Sequence, residues 1–199
     1  TTGFAREEFD RIGAANVATV PLGVDLDMFH PSRFCGRTRS RWAEPAQVLL
    51  VHCGRLSIEK RADRSIDALA ALRDSGVDAR LVIAGDGPLR ARLQRQAARL
   101  PVDFTGFIES RGTVATLLAS ADGALACGTP VVVSRTSALS EILSSDSGAC
   151  ADNDPRAIAG AVAAVIDRPE QQRRFCARRR AESFTWPRSA AGMLTALGA

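Results

Sequence analysis

Val48-Leu49-Leu50-Val51-His52-Cys53-Gly54-Arg55-Leu56-Ser57-Ile58-Glu59-Lys60 is the stretch on which the fold turns. It opens as a short apolar run of the kind that forms a strand buried on both faces of a parallel sheet. At Gly54 it breaks into a loop carrying Arg55 and Lys60, and a helical pattern follows. Open α/β sheets bind ligands just beyond the carboxyl ends of their strands. A guanidinium and an ammonium five residues apart at such a place suit a diphosphate, the first as a fork and the second as a point charge. Lys60 is the single lysine among 26 basic side chains. The plain alternative is that both cations are solvated loop residues.

Outward from this stretch the pattern alternates. Ala62–Ser75 places Ile66, Leu69, Ala70 and Leu72 at helical spacing, with Gly76 as the stop. Ala79–Ala84 reads as a second buried strand. Gly85-Asp86-Gly87-Pro88 turns into a helix with Leu89, Leu93, Ala97 and Leu100 on one face, Asp86 placed to cap it and Pro88 to fill its first turn. Val102–Thr105 is a third strand, ended by Gly106-Phe107, and Thr113–Ala119 a further helix. Gly123–Leu125 and Val131–Val133 are two more strands. Helices follow from Asp154-Pro155, Pro169 and Pro187. Strands alternating with helices of this length predict a doubly wound, Rossmann-like parallel sheet. Upstream, Thr1–Gly13 predicts a short amphipathic helix and Val17–Val20 a brief strand. Ser32–Pro45, polar and Arg-rich, reads as a linker. The chain begins mid-element without an initiator Met, as a piece of something longer would.

One spacing breaks the alternation. Parallel neighbours need a crossover of about a dozen residues or more. Only Ala126-Cys127-Gly128-Thr129-Pro130 separates Leu125 from Val131. Either a hairpin interrupts the parallel sheet, or a helical segment is absent from this chain.

The net charge of +4 favours anionic partners in general without separating a nucleotide from nucleic acid or a membrane surface. Five cysteines without a Cys-x-x-Cys spacing indicate neither a disulfide framework nor a zinc site. Cys53 and Cys127, beside apolar runs, read as small buried hydrophobes. No apolar run approaches the roughly 20 residues that span a bilayer, and no signal peptide is evident. A reducing, cytoplasmic setting fits, with any membrane contact peripheral. Gly85-Asp86-Gly87 lacks the third glycine of the dinucleotide fingerprint, so it reads first as a tight turn. His52 inside an apolar run reads as a satisfied core histidine. Glu141 opens a short helix, where the helix dipole accounts for it. Arg173-Arg174 and Arg178-Arg179-Arg180 read as a solvated helix face; without interleaved aromatics, nucleic-acid binding is the weaker alternative.

Taken together, Gly54-Arg55-Leu56-x-x-Glu59-Lys60, Gly85-Asp86-Gly87-Pro88, Phe104-Thr105-Gly106-Phe107, Ala126-Cys127-Gly128-Thr129-Pro130-Val131-Val132 and Ser140-Glu141-Ile142 stand in an order that resembles the family-four retaining glycosyltransferases, above all actinobacterial mannosyltransferases using GDP-mannose. The resemblance implies the C-terminal, donor-binding half of a GT-B fold. It divides the chain into a remnant of the acceptor domain (1–20), an interdomain linker (21–46), the nucleotide-sugar domain (47–185) and a C-terminal helix (186–199). It implies a metal-independent, cofactor-free transfer of mannose to a lipid or glycan acceptor, the acceptor bound through an N-terminal domain absent here. Arg55 and Lys60 would neutralise the leaving diphosphate, and Gly54 would let backbone approach it. Gly106, Phe107 and Ile108 would line the base, and Gly128, Thr129 and Pro130 would support the phosphate end. The family's Glu-x7-Glu segment has no counterpart, and its usual place is where the crossover is too short, which favours the absent segment. This chain alone is then expected not to catalyse. A nucleotide-binding module without catalysis is the rival reading.

Overall fold

The computed structural model describes residues 2–123 and 129–198 of the 199-residue chain. Helix α1 (Gly3–Arg11) and an irregular run come first, followed by α2 (Gly36–Trp42). Then β1 (Val48–Cys53), α3 (Ala62–Asp74), β2 (Ala79–Ala84), α4 (Arg90–Gln96), β3 (Val102–Gly106) and α5 (Arg111–Ser120) alternate. Beyond them lie β4 (Val131–Ser134), β5 (Gly148–Ala151), α6 (Pro155–Ile166), α7 (Glu170–Ala181) and α8 (Trp186–Leu197).

These five strands pair in parallel. The order is β3-β2-β1, with Val48 opposite Ala79 and Leu81 opposite Val102. Gly123 adds a parallel bridge to Leu50 on the far side of β1, and β4 pairs with β5. Among the described residues the strands fall in two parallel sheets, β3-β2-β1 and β4-β5, and helices cover both faces of the first, the doubly wound α/β arrangement predicted. Leu81 and Ile83 of β2 point to one face, packed with Ile66, Leu69 and Leu72 of α3, Leu93 of α4 and Val162 of α6. Val82 and Ala84 point to the other, packed with Leu49, Ala43 and Leu117. Alternate residues of one strand thus feed two cores, which is why its sequence is apolar throughout rather than alternating.

Several expectations need correcting. Ser32–Pro45, read as a linker, contains a helix that reading did not include: α2, held against the sheet by Arg39 and by buried Ala43. Val17–Val20 forms no strand; Val20 packs instead beside Gly192 of α8, whose missing side chain makes the room. The strand β5, Gly-Ala-Cys-Ala, was not expected at all. The Arg-rich helix α7 is not a solvated face. Arg173 is buried and paired with Asp122 at 3.1 Å. Arg174 donates to the carbonyls of Ala119 and Ala121, both at 3.1 Å, and Arg178 to those of Leu26 and Phe29. Arg180 donates to the carbonyls of Glu141 and Ile142. Guanidinium, with five donors in a fixed fork, suits capping loop carbonyls that no helix or strand satisfies.

Gly128, Cys127, the strand expected beyond Gly123 and most of the short crossover lie outside the described residues.

Candidate functional site

β1, β2 and β3 end together, and a cleft of about 450 Å³ opens at their carboxyl ends. Its wall comprises Cys53, Gly54 and Arg55 at the end of β1, Ala84, Gly85 and Asp86 at the end of β2, Phe107 and Ile108 after β3, and Val114 of α5. The floor is mostly apolar side chain and backbone. Its ionic groups are Arg55 and Asp86.

Backbone contacts fix the Arg55 loop from below. The Gly54 N–H donates to Ala84 O at 3.0 Å and the Leu56 N–H to Asp86 O at 2.9 Å. The Leu89 N–H returns to Leu56 O at 3.1 Å, and Leu56 itself is fully buried. Gly85 and Gly87 make this approach possible. A Cβ on Gly85 would overlap the Gly54 carbonyl oxygen, and one on Gly87 would sit 2.5 Å from Leu56 O. The Gly-Asp-Gly-Pro turn is therefore a seat for the cation-bearing loop. Asp86 does not cap α4, whose first residue is preceded by Leu89 without a side-chain cap. Its Oδ1 accepts instead from the Gly87 N–H and its Oδ2 from Arg90, each at 2.7 Å. These two donors, the backbone one first, hold the carboxyl below the usual Asp range.

Arg55 is exposed at the cleft; its carbonyl accepts from the Ser57 N–H at 3.0 Å, while its guanidinium makes no hydrogen bond or ion pair with the described residues. A Cβ on Gly54 would meet nothing within 4 Å, so open space faces that backbone. Gly106, at φ +75, turns the chain from β3 into the loop where Phe107 is 75% exposed and Ile108 half-buried. Lys60 is not in the cleft wall; it ends a short 3₁₀ turn, Ile58–Lys60, and is exposed. Thr129 and Pro130 are fully buried and also apart from the wall. The Thr129 hydroxyl donates to Leu118 O at 3.1 Å and accepts from Arg174. The expected set thus gathers Gly54, Arg55, Phe107 and Ile108 with Gly106 behind them, and leaves Lys60, Thr129 and Pro130 outside.

Cys53 is not the small buried hydrophobe expected; it is exposed at the end of β1, and its partly enclosed thiol has a raised pKa. His52 is a satisfied interior histidine. Its Nδ1 lies 2.9 Å from Ser65 Oγ, tying β1 to α3 across the cation loop. Burial is the first cause that pushes its pKa below the ordinary 6.5, with Lys60 adding to it and Asp63 opposing it. A neutral interior His costs stability once the unfolded chain takes up a proton that the folded one refuses. Stability should fall as pH drops below about 6.5, by at most about 1.4 kcal/mol per pH unit from this group. His52→Gln should flatten that part of the profile, measured as urea midpoints on either side of pH 6.5.

Among the described residues no group of three His, Cys, Asp or Glu side chains comes together to hold a metal ion. No described helix is long and apolar enough to cross a membrane.

Residues 37–122, which include the cleft wall, match the family model described as glycosyl transferases group 1. The chain carries a group 1 glycosyltransferase domain. The whole chain is 68% identical over 215 aligned residues to the GDP-mannose-dependent alpha-(1-6)-phosphatidylinositol dimannoside mannosyltransferase of Mycobacterium tuberculosis, covering 56% of that protein. The chain therefore spans about half the length of the curated relatives it matches. That alignment exceeds the 199 residues of the chain by 16, so at least that many positions have no counterpart here. Among solved structures, Anabaena Alr3699/HepE in complex with UDP superposes with a TM-score of 0.84 at 20% identity, over 99% of this chain and 62% of that one. The C-terminal domain of the group 1 protein LpcC from Francisella tularensis superposes with a TM-score of 0.58 at 16% identity, over 80% of this chain and 95% of its own. The glycosyltransferase domain thus has the fold of GT-B glycosyltransferases.

Proposed function

We propose that this chain is the nucleotide-sugar-binding half of a retaining glycosyltransferase that moves mannose from GDP-mannose to a lipid or glycan acceptor. One observation carries the reading: a cleft bearing an unpaired Arg55 lies at the strand ends of a chain whose entire length resembles a GDP-mannose-dependent enzyme. Charge builds on the diphosphate as the glycosidic bond breaks, and a cation fixed in place before that moment lowers the barrier. Arg55 supplies it through a loop seated on Gly85 and Gly87, with Lys60 adding charge from the following turn. Gly54 lets the diphosphate approach the backbone. Gly106, Phe107 and Ile108 form the base end, while Thr129 and Pro130, outside the wall, support the phosphate end. No metal is needed in this scheme. The acceptor binds through residues beyond this domain, at the cytoplasmic side, with peripheral contact to a membrane where the acceptor is a lipid.

Arg55→Ala should weaken GDP binding by about 1.5–3 kcal/mol, the range for hydrogen bonds to charged groups. Lys60→Ala should weaken it less, since Lys60 stands outside the wall. Calorimetry with GDP checks both, and unchanged affinity in both variants would contradict the reading. The unmatched alignment positions favour a second reading, nucleotide binding without transfer. Incubation with labelled GDP-mannose and acceptor lipid, with the chain joined to an acceptor-binding N-terminal domain, separates the two: labelled lipid supports transfer, and GDP binding without it supports the second.

A further inference from the structure

A nucleotide site has to tell one base from another, and a base-selecting role for any residue here rests on the cleft being such a site, as proposed above. Asp86 is the only carboxylate in the cleft wall as described. A carboxylate carries about four lone-pair sites, two on each oxygen. Gly87 N–H occupies one on Oδ1 and Arg90 one on Oδ2, both at 2.7 Å, so each oxygen keeps one site. Those two contacts also fix the orientation of the group. From where a Cβ would sit on Gly106, Arg90 Nη1 lies at 3.1 Å and Asp86 Oδ2 at 3.7 Å, so the bare α-carbon makes room for this ion pair beside the start of the Phe107 loop. The other ionic group of the wall is Arg55, on the loop whose Leu56 N–H donates to Asp86 O. A nucleotide with its diphosphate at Arg55 extends its base toward Phe107, Ile108 and Asp86.

We propose that Asp86 is the base-selecting residue, accepting the N1–H and the N2 amino hydrogens of guanine on its two oxygens. Guanine presents two adjacent donors on that edge, which match two side-by-side acceptors. Adenine presents an amine beside a ring-nitrogen lone pair, and uracil one N–H between two carbonyls. Each of those would set a lone pair against an ionised carboxylate. The Phe107 ring, 75% exposed, offers an apolar face beside the same end.

The test is calorimetry with GDP and with inosine diphosphate, which lacks only the 2-amino group. The wild-type chain should bind GDP about tenfold more tightly than inosine diphosphate, as a lost hydrogen bond to a charged group implies, and should bind UDP and ADP more weakly still. Asp86→Asn should bring the GDP to inosine diphosphate ratio close to one, with thermal melting used to check that the variant is folded. A wild-type chain that binds GDP with no preference over inosine diphosphate, or a preference that survives in Asp86→Asn, overturns the assignment while leaving the nucleotide site standing. Binding of neither nucleotide overturns both.

Discussion

Asp122→Ala is expected to lower the unfolding free energy by about 3–5 kcal/mol, the cost of breaking a buried ion pair from one side. The carboxylate is enclosed, and everything it binds comes from a different part of the chain. Oδ2 accepts from Arg39 of α2 at 2.9 Å and from the Leu49 N–H at the start of β1, also at 2.9 Å. Oδ1 accepts from Arg173 of α7 at 3.1 Å. The arginine side chains are 20% and 9% exposed, so water cannot replace the lost partner for Arg173 and does so only in part for Arg39. Truncation leaves two guanidiniums facing each other and one backbone donor unsatisfied. Urea denaturation measures the effect as a lower midpoint with an unchanged slope. A triple variant with Met at 39 and 173 and Ala at 122 should recover much of the loss, because apolar replacement of a whole buried ionic set is often neutral. GDP affinity, measured below the unfolding transition, should stay near wild type, since this cluster lies at the amino ends of the strands, opposite the cleft.

The same cluster marks where the sequence could be read and where it could not. The three central strands are legible because burial on both faces demands unbroken apolar runs, as in Ala79–Ala84. The helices α3 and α6 are legible through their spacing and starts: α6 begins at Asp154-Pro155 as read, with Asp154 as its cap and Pro155 in its first turn. Four residues as small as Gly148-Ala149-Cys150-Ala151 carry too little periodicity to distinguish a strand from a loop. The arginines of α7 failed for another reason. A charged run looks the same whether it faces water or loop carbonyls, and the carbonyls concerned come from residues as distant in sequence as Leu26. Asp122 did leave a signal: a lone carboxylate between the apolar end of α5 and the next strand start has to find a cation if it is buried.

The site was legible to a similar extent. The loop after β1 holds Arg55 at the cleft because strand ends converge there whatever the loop sequence, which is a property of the topology. The role of the Gly85-Asp86-Gly87 turn was not legible, because a turn rich in glycine reads the same when it faces solvent, an anion or another backbone. Only the fold reveals that Gly54 and Leu56 lie on it.

That contact gives the second large effect. Gly85→Ala should cost about 3 kcal/mol of stability, at the upper end of overpacking penalties, and should also weaken GDP binding by at least about tenfold. The two losses have one cause. Gly85 sits at φ +151, and an added Cβ would overlap the Gly54 carbonyl oxygen, a backbone atom with no rotamer by which to escape. Relief requires the Gly54–Leu56 segment to lift, which stretches the hydrogen bonds from Gly54 to Ala84 and from Leu56 to Asp86. Arg55 lies between those two anchors and moves with them, so its guanidinium leaves the place where fixed charge is useful. Gly76→Ala separates this from a general effect of glycine loss. Gly76 has φ +93, yet a Cβ there would meet nothing within 4 Å. That variant should cost about 1 kcal/mol through backbone strain alone and leave GDP affinity unchanged. Urea denaturation and GDP calorimetry on the two variants measure this. Equal affinity losses in both would mean that the loop is not seated on Gly85, whereas a loss confined to Gly85→Ala ties the position of Arg55 to the turn beneath it.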